Sequence, residues 1–259
     1  MPALPLLLLT ALMLPLHGGG DPERHFREAG VKGSFLLCEL DGDSCLRINP
    51  ERCAQRFIPA STFKILNSMI ALEYGAVNGL DDTLRWDGTR YSIESWNQHQ
   101  CMRDAFQRSC VWFYQELARR IGEKRMKAAV TAVGYGNTDI GGGIDRFWLD
   151  GALRVSSEEQ LSFLRRLWKE DLPFSVDVQR TVKELMVLER TDAYTLRGKT
   201  GTAMRSDDIV GWLVGFLDRG DHVYVYVLNL ELPDTDDLSG FLKIRYDLLR
   251  TLLHDQGLI

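Results

Sequence analysis

A serine and a lysine stand three residues apart in Pro59-Ala60-Ser61-Thr62-Phe63-Lys64, directly ahead of an apolar run. At that spacing both side chains project from one face of a helix. A lysine desolvated in such a place gives up its proton readily, and a neutral amine beside a hydroxyl can activate it as a nucleophile. The pair alone is a weak signal, because two ordinary residue types at a fixed spacing recur by chance in a chain of this length. A serine near a helix start and a solvated lysine give the same letters. Acyl transfer needs more parts: a proton relay, a cation for an anionic substrate, and N–H donors for a developing oxyanion.

Three further stretches could supply them. Lys199-Thr200-Gly201 is expected to close a strand and offers a cation, a hydroxyl and a residue without a side chain. The glycine allows close backbone approach, and an exposed strand can pair with an amide-containing ligand. Ser109-Cys110-Val111 falls between two helical patterns, and Tyr135-Gly136-Asn137 follows another. Each has an ordinary reading as well: a strand entering a turn, a serine N-cap, and Asn-Gly loop chemistry.

The elements that must position these residues change character along the chain. Val31 to Leu40 and Leu46 to Ile48 read as a β-hairpin, and Ser61 to Tyr74 as a helix ended by Gly75. Helical periodicity then dominates at about Met102 to Gln107, Trp112 to Ile121, Glu123 to Val133, Glu158 to Trp168 and Val176 to Leu188. Ser156 with Glu159 three residues on is a capping-box pattern. Tyr194 to Lys199, Ile209 to Leu217 and Val223 to Leu230 read as strands, and about Leu238 to His254 as a closing amphipathic helix. Strands at both ends with helices between them predict an α+β fold, with one antiparallel sheet built from the two termini. The predicted catalytic domain covers residues 21–259, with a mixed part at about 21–60 and 189–259 and a helical part at about 61–188. A cleft belongs at their junction, where the Ser61 helix begins.

The chain has 259 residues, 45% of them hydrophobic and 26% charged, which is a folded globular composition. Its formal charge of -5, with basic and acidic residues intermixed, leaves no footprint for nucleic acid. Ala3 to Leu16 is almost wholly apolar and is followed by His17-Gly18-Gly19-Gly20. The run is short of the ~20 residues of a membrane span but suits a secretory leader over residues 1–20. It lacks a preceding Lys or Arg and an Ala-x-Ala site; cleavage near Gly18–Gly20 is expected, with no stable membrane insertion afterwards, and an uncleaved anchor is the alternative. Cys38 and Cys45 flank an Asp-Gly turn signal, so on antiparallel strands they can face each other and close a disulfide. Cys53, Cys101 and Cys110 are expected as small buried fillers, and the cysteine spacing is no zinc signature.

Taken in order, Ser61-Thr62-Phe63-Lys64, Ser109-Cys110-Val111, Tyr135-Gly136-Asn137 and Lys199-Thr200-Gly201 resemble the motif set of the class D serine β-lactamases, the oxacillinases. The likeness extends to Asp145-Arg146-Phe147-Trp148-Leu149, to Gly211-Trp212-Leu213-Val214-Gly215 and to a closing helix bearing Arg245. It implies a serine β-lactamase/penicillin-binding-protein-like fold: an antiparallel sheet flanked by terminal helices, plus a helical subdomain. It implies hydrolysis of penicillin-type β-lactams in the periplasm of a Gram-negative-type cell, by a monomer or homodimer that confers resistance.

The resemblance also implies roles. Ser61 is the acylated nucleophile. Lys64 becomes N6-carboxylysine and serves as general base for acylation and deacylation, so carbon dioxide or bicarbonate is needed but no cofactor. Val111, Leu149 and Trp148 make its apolar surround, with the Trp148 indole as a donor to the carbamate. Ser109 relays a proton to the leaving nitrogen. Lys199, Thr200, Gly201 and Arg245 belong to the substrate site, the cations taking its carboxylate. The backbone N–H groups of Ser61 and Thr202 form the oxyanion hole. Cys110 is an unusual middle residue for Ser-x-Val, and Thr202 is smaller than the aromatic often found after Lys-Thr-Gly. The short Thr202 to Val210 segment with Arg205 resembles a compact loop of some carbapenem-hydrolysing members.

Two other readings share parts of this pattern. Sensor domains of β-lactam-inducible receptors resemble it too but stay acylated, and they follow membrane helices and a His-Glu-x-x-His protease segment absent here. Penicillin-binding peptidases usually carry a polar residue where Val111 stands.

Overall fold

Both ends of the chain are rich in alternating β-branched and aromatic residues, and they meet in one six-stranded antiparallel sheet. The computed structural model describes residues 21, 23–42, 44–204, 208–233 and 238–259, so the expected leader at 1–20 and Arg205 lie outside the described residues. After helix α1 (Arg24–Glu28), strands β1 (Lys32–Glu39) and β2 (Cys45–Ile48) form the hairpin. Helix α2 (Pro50–Ala54) and strand β3 (Arg56–Phe57) lead to a 3₁₀ turn at Ala60–Phe63 and on into α3 (Lys64–Glu73). The middle holds β4 (Thr83–Leu84), a second 3₁₀ turn at Glu94–Trp96, and β5 (Gln100–Cys101). Helices α4 (Met102–Gln107), α5 (Val111–Ile121) and α6 (Glu123–Val133) follow. Strand β6 (Val155–Ser156) then precedes α7 (Ser157–Trp168) and α8 (Val176–Leu185). The chain returns to the sheet in β7 (Val187–Arg190), β8 (Thr195–Met204), β9 (Asp208–Asp218) and β10 (Val223–Pro233), and ends in α9 (Leu238–Asp255).

The strand order is β2-β1-β10-β9-β8-β7, so the first hairpin pairs with the last strand, from Lys32 opposite Glu231 to Glu39 opposite Tyr224. Successive residues of a strand face opposite sides. Phe35 and Leu37 accordingly join Leu213, Leu217, Leu228, Leu249 and Leu253 under α9, while Leu36 and Cys38 join Trp212, Val214 and Phe216 against the helical part. The Ser156/Glu159 capping box closes in both directions and starts α7. Among the described residues no helix is long and apolar enough to cross a membrane.

Four expectations need correction. The helix predicted over Val176 to Leu188 stops at Leu185, and its last residues belong to edge strand β7. The strand predicted to end at Lys199 runs on to Met204, which puts Lys199-Thr200-Gly201 in mid-strand rather than at a strand end. Pairing with β9 along the whole of β8 overrides the turn-like letters. Ser61 lies in a 3₁₀ turn, and the α-helix begins at Lys64. Cys101 is half-buried at the end of β5, whereas Cys53 and Cys110 are buried. Cys38 and Cys45 form the expected disulfide from directly opposed positions of β1 and β2.

Candidate active site

The turn carrying Ser61 is held in an unfavourable shape by its surroundings. Ala60 has φ +48°, a left-handed conformation that non-glycine residues rarely adopt. Thr62 ties the turn back on itself, its Oγ1 donating to the Pro59 carbonyl at 2.8 Å. Buried Gln160 on α7 donates to Thr62 Oγ1 at 2.8 Å and accepts from the Tyr135 hydroxyl at 3.2 Å. From the sheet side, Trp212 Nε1 donates to the Ile58 carbonyl at 2.9 Å. The turn also presses against β8 at Gly201, where an added Cβ would stand 2.9 Å from the Pro59 oxygen and 3.1 Å from Thr62 Cγ2. Only glycine permits that approach; it brings the Ser61 turn itself onto Lys-Thr-Gly.

Lys64, fully buried as the first residue of α3, donates from Nζ to Ser61 Oγ at 2.6 Å and to Ser109 Oγ at 3.4 Å. Burial pushes its amine down to about 7. A helix N-terminus also disfavours a cation. The Tyr114 ring lies 5.4 Å away, and no ion pair to Lys64 occurs among the described residues. Lys199, likewise buried, donates to Ser109 Oγ from the other side at 3.2 Å, with the Phe106 ring 5.3 Å from its Nζ. Burial first, and then the charges of Lys64 and Arg245, hold the Lys199 amine well below its ordinary value. Ser109 itself sits at φ +54° between α4 and α5 and does not cap α5, whose N-cap is Cys110.

Arg245 of α9 is buried and pushed down to about 10 by desolvation. It reaches around β8, its Nη1 donating to the Gly201 carbonyl at 2.7 Å and to Thr202 Oγ1 at 2.9 Å. Thr200 and Thr202 are half-buried. Strand β7 pairs with β8 only from Thr195 to Arg197, so among the described residues Lys199 onward has no strand partner on that side. The result is a sheet edge beside Ser61, backed by cations.

Trp148 is fully buried and stacks on Phe63 at 5.4 Å between ring centres; its Nε1 has no hydrogen-bond acceptor among the described residues. An unpaired buried donor is costly, so it marks a place for an acceptor. Leu149 is half-buried against the same core, and Val111 is half-buried as the first residue of α5. Tyr135-Gly136-Asn137 lies outside this group of polar atoms and secures the loop that bears Trp148. Asn137 bonds to Arg154 and Ala152, and at Gly136 (φ +55°) a Cβ would stand 2.1 Å from the Arg154 oxygen. Sequence reasoning missed the roles of Thr62, Gln160 and Trp212; the one local signal is Gln160, a polar residue on the mostly apolar buried face of α7.

Comparison with known proteins gives the same picture. Residues 31–250 match the family described as the penicillin binding protein transpeptidase domain. The Bacillus subtilis protein named probable β-lactamase YbxI is 45% identical over 199 residues, covering 77% of this chain and 74% of that one. β-Lactamase OXA-48 of Klebsiella pneumoniae is 41% identical over 215 residues, covering 83% and 81%. Among solved structures, the class D β-lactamase YbXI from Nostoc superposes with a TM-score of 0.86 at 41% identity, covering 92% of this chain and 98% of that one.

Proposed function

The chain belongs to the class D β-lactamases, and from that membership we propose that it opens the β-lactam ring of penicillin-type antibiotics through a Ser61 acyl-enzyme and so confers resistance to them. The observation that carries this reading is the 2.6 Å contact of Lys64 Nζ with Ser61 Oγ, in a fully buried place where the amine is pushed to about 7. A neutral amine can add its lone pair to carbon dioxide and release a proton, which leaves an N-carboxylate. That group, on Lys64, supplies the general base for acylation and deacylation. The unpaired Trp148 N–H and the absence of any ion pair to Lys64 among the described residues support it, since a new anion finds a donor and no competing carboxylate.

The remaining roles follow from position. Ser61 Oγ attacks the lactam carbonyl carbon, and the backbone N–H groups of Ser61 and Thr202 receive the charge on its oxygen. The ring C–N bond breaks, and the Ser109 hydroxyl, within reach of Lys64 and Lys199, passes on to the leaving nitrogen the proton that the base on Lys64 took from Ser61. Lys199, Thr200 and Arg245 hold the substrate carboxylate, which relieves the mutual repulsion of the buried cations. Gly201 lets the Ser61 turn close onto β8, so that the nucleophile and the strand edge meet one substrate amide. Water then attacks the acyl carbon, and Ser61 Oγ departs with its proton restored. The enzyme works in the periplasm after loss of residues 1–20, as a monomer or homodimer; the Cys38–Cys45 disulfide supports an oxidising compartment.

Mixing the protein with a chromogenic cephalosporin, with and without bicarbonate, tests the proposal. Sustained turnover that rises with bicarbonate is expected; a single burst with a trapped acyl-enzyme would make the protein a sensor instead. Lys64→Ala is expected to fold but neither to acylate efficiently nor to deacylate, and near-normal turnover in that variant would refute the base assignment.

A further inference from the structure

Ser109 must hold a left-handed backbone conformation while its hydroxyl stays within reach of two lysines, and a serine does not keep φ +54° unaided. Its φ is set by the peptide plane it shares with Arg108. That plane is pinned at both ends. The Ser109 N–H donates to the Phe106 carbonyl at 3.2 Å, a bond local to the end of α4. The Arg108 carbonyl accepts from Trp96 Nε1 at 3.0 Å, a bond that arrives from another loop. Trp112, just after Val111, donates from its own Nε1 to the Trp96 carbonyl at 2.9 Å. The two indoles therefore act in series, Trp112 holding Trp96 and Trp96 holding the peptide that precedes Ser109.

The loop carrying Trp96 is itself anchored. Strands β4 and β5 close its base, Thr83 opposite Cys101. Gln100, fully buried, donates to the Ser95 carbonyl at 2.8 Å and accepts from Arg108 Nη1 at 3.1 Å. Tyr91 and Asn97 exchange two further bonds of 2.8 Å and 3.0 Å across the loop. A tryptophan N–H spent on a backbone carbonyl of a strained turn does more than fill space.

We propose that Trp96 and Trp112 are positioning residues for the proton relay: the Trp112 indole holds the Trp96 carbonyl, and the Trp96 indole in turn fixes the Arg108–Ser109 peptide and thereby aims the Ser109 hydroxyl between Lys64 and Lys199. The inference rests on the relay role proposed for Ser109. Trp96→Phe and Trp112→Phe keep one aromatic ring and remove the indole N–H with the second ring; thermal unfolding checks that the fold is retained, and half-saturation checks substrate binding. The test is the single-turnover acylation rate at saturating cephalosporin, measured with its half-saturation concentration for both variants, for Ser109→Ala, and for the Trp96→Phe/Ser109→Ala double variant. Each phenylalanine variant should slow acylation by about three- to tenfold, the worth of one such hydrogen bond, with half-saturation unchanged. On the Ser109→Ala background Trp96→Phe should cost nothing more, because its effect passes through the hydroxyl already removed. If Ser109→Ala is slow but both phenylalanine variants acylate at the parent rate, the brace is wrong and the relay stands. Additive losses in the double variant would also overturn the brace. Ser109→Ala at the parent rate would overturn the relay and the inference together.

Discussion

Lys64 is sealed from water without a counter-ion among the described residues, so its charged form is the expensive one. Its folded-state value of about 7 lies below the ordinary 10.5, which means that between these values the folded protein binds fewer protons than the unfolded chain. Stability therefore rises with pH across that window, and the penalty is complete below about 7. Lys64→Met should be more stable than the parent at acid pH by roughly 2–4 kcal/mol, with turnover abolished. Denaturant curves on either side of the window measure this; equal stabilities at low pH would show that the amine is not desolvated. On the proposed mechanism the same titration should set the acid limb of turnover near pH 7, and added bicarbonate should move that limb to lower pH by mass action. Ser61 and Lys64 were legible in the sequence because three residues of separation is a local fact. The support of the turn was not: Gln160 and Thr62 meet across 98 positions, and nothing in either neighbourhood announces it.

Between elements, the decisive contact is the Ser61 turn against β8. Gly201→Ala would push a methyl group to 2.9 Å from the Pro59 carbonyl oxygen, a backbone atom that cannot swing aside. The turn must shift, so acylation should fall at least tenfold and stability by about 1–3 kcal/mol. Parent-like kinetics in a folded Gly201→Ala protein would show that the approach is not needed. The middle helices were readable from their 3.6-residue period, α4 and α6 with close bounds, because amphipathic helices declare their faces locally. Strand β7 was not, since Val187 to Arg190 continues the apolar rhythm of α8 and becomes a strand only by pairing with Thr195 to Arg197. Lys199-Thr200-Gly201 read as a strand end for a similar reason: small polar residues suggest a turn until Trp212 to Val214 of β9 is placed opposite.

Across the whole molecule, the sheet separates a stapled edge from a working edge. The Cys38–Cys45 disulfide ties β1 to β2, and β8 lies four strand spacings from β2, ~19 Å away. Replacing both cysteines by alanine should cost about 2–3 kcal/mol, the value of closing a loop of this length, and leave kcat/KM unchanged. Thermal unfolding and steady-state kinetics of the one variant check both halves; a drop in kcat/KM would tie the two edges together. The meeting of the two chain ends in a single sheet was legible because strand patterns cluster at the termini. Which strand lies beside which, β1 against β10 above all, is a matter of packing on two faces at once.

The proposed chemistry depends above all on capture of carbon dioxide by the buried Lys64 amine, which would make it the base that serves Ser61. Carbon-13 NMR of the protein equilibrated with labelled bicarbonate tests it directly. A carbamate resonance is expected in the parent, lost when Lys64 is replaced by methionine, and fading in step with turnover as carbon dioxide is withdrawn. Full turnover by enzyme that shows no such resonance would contradict the account.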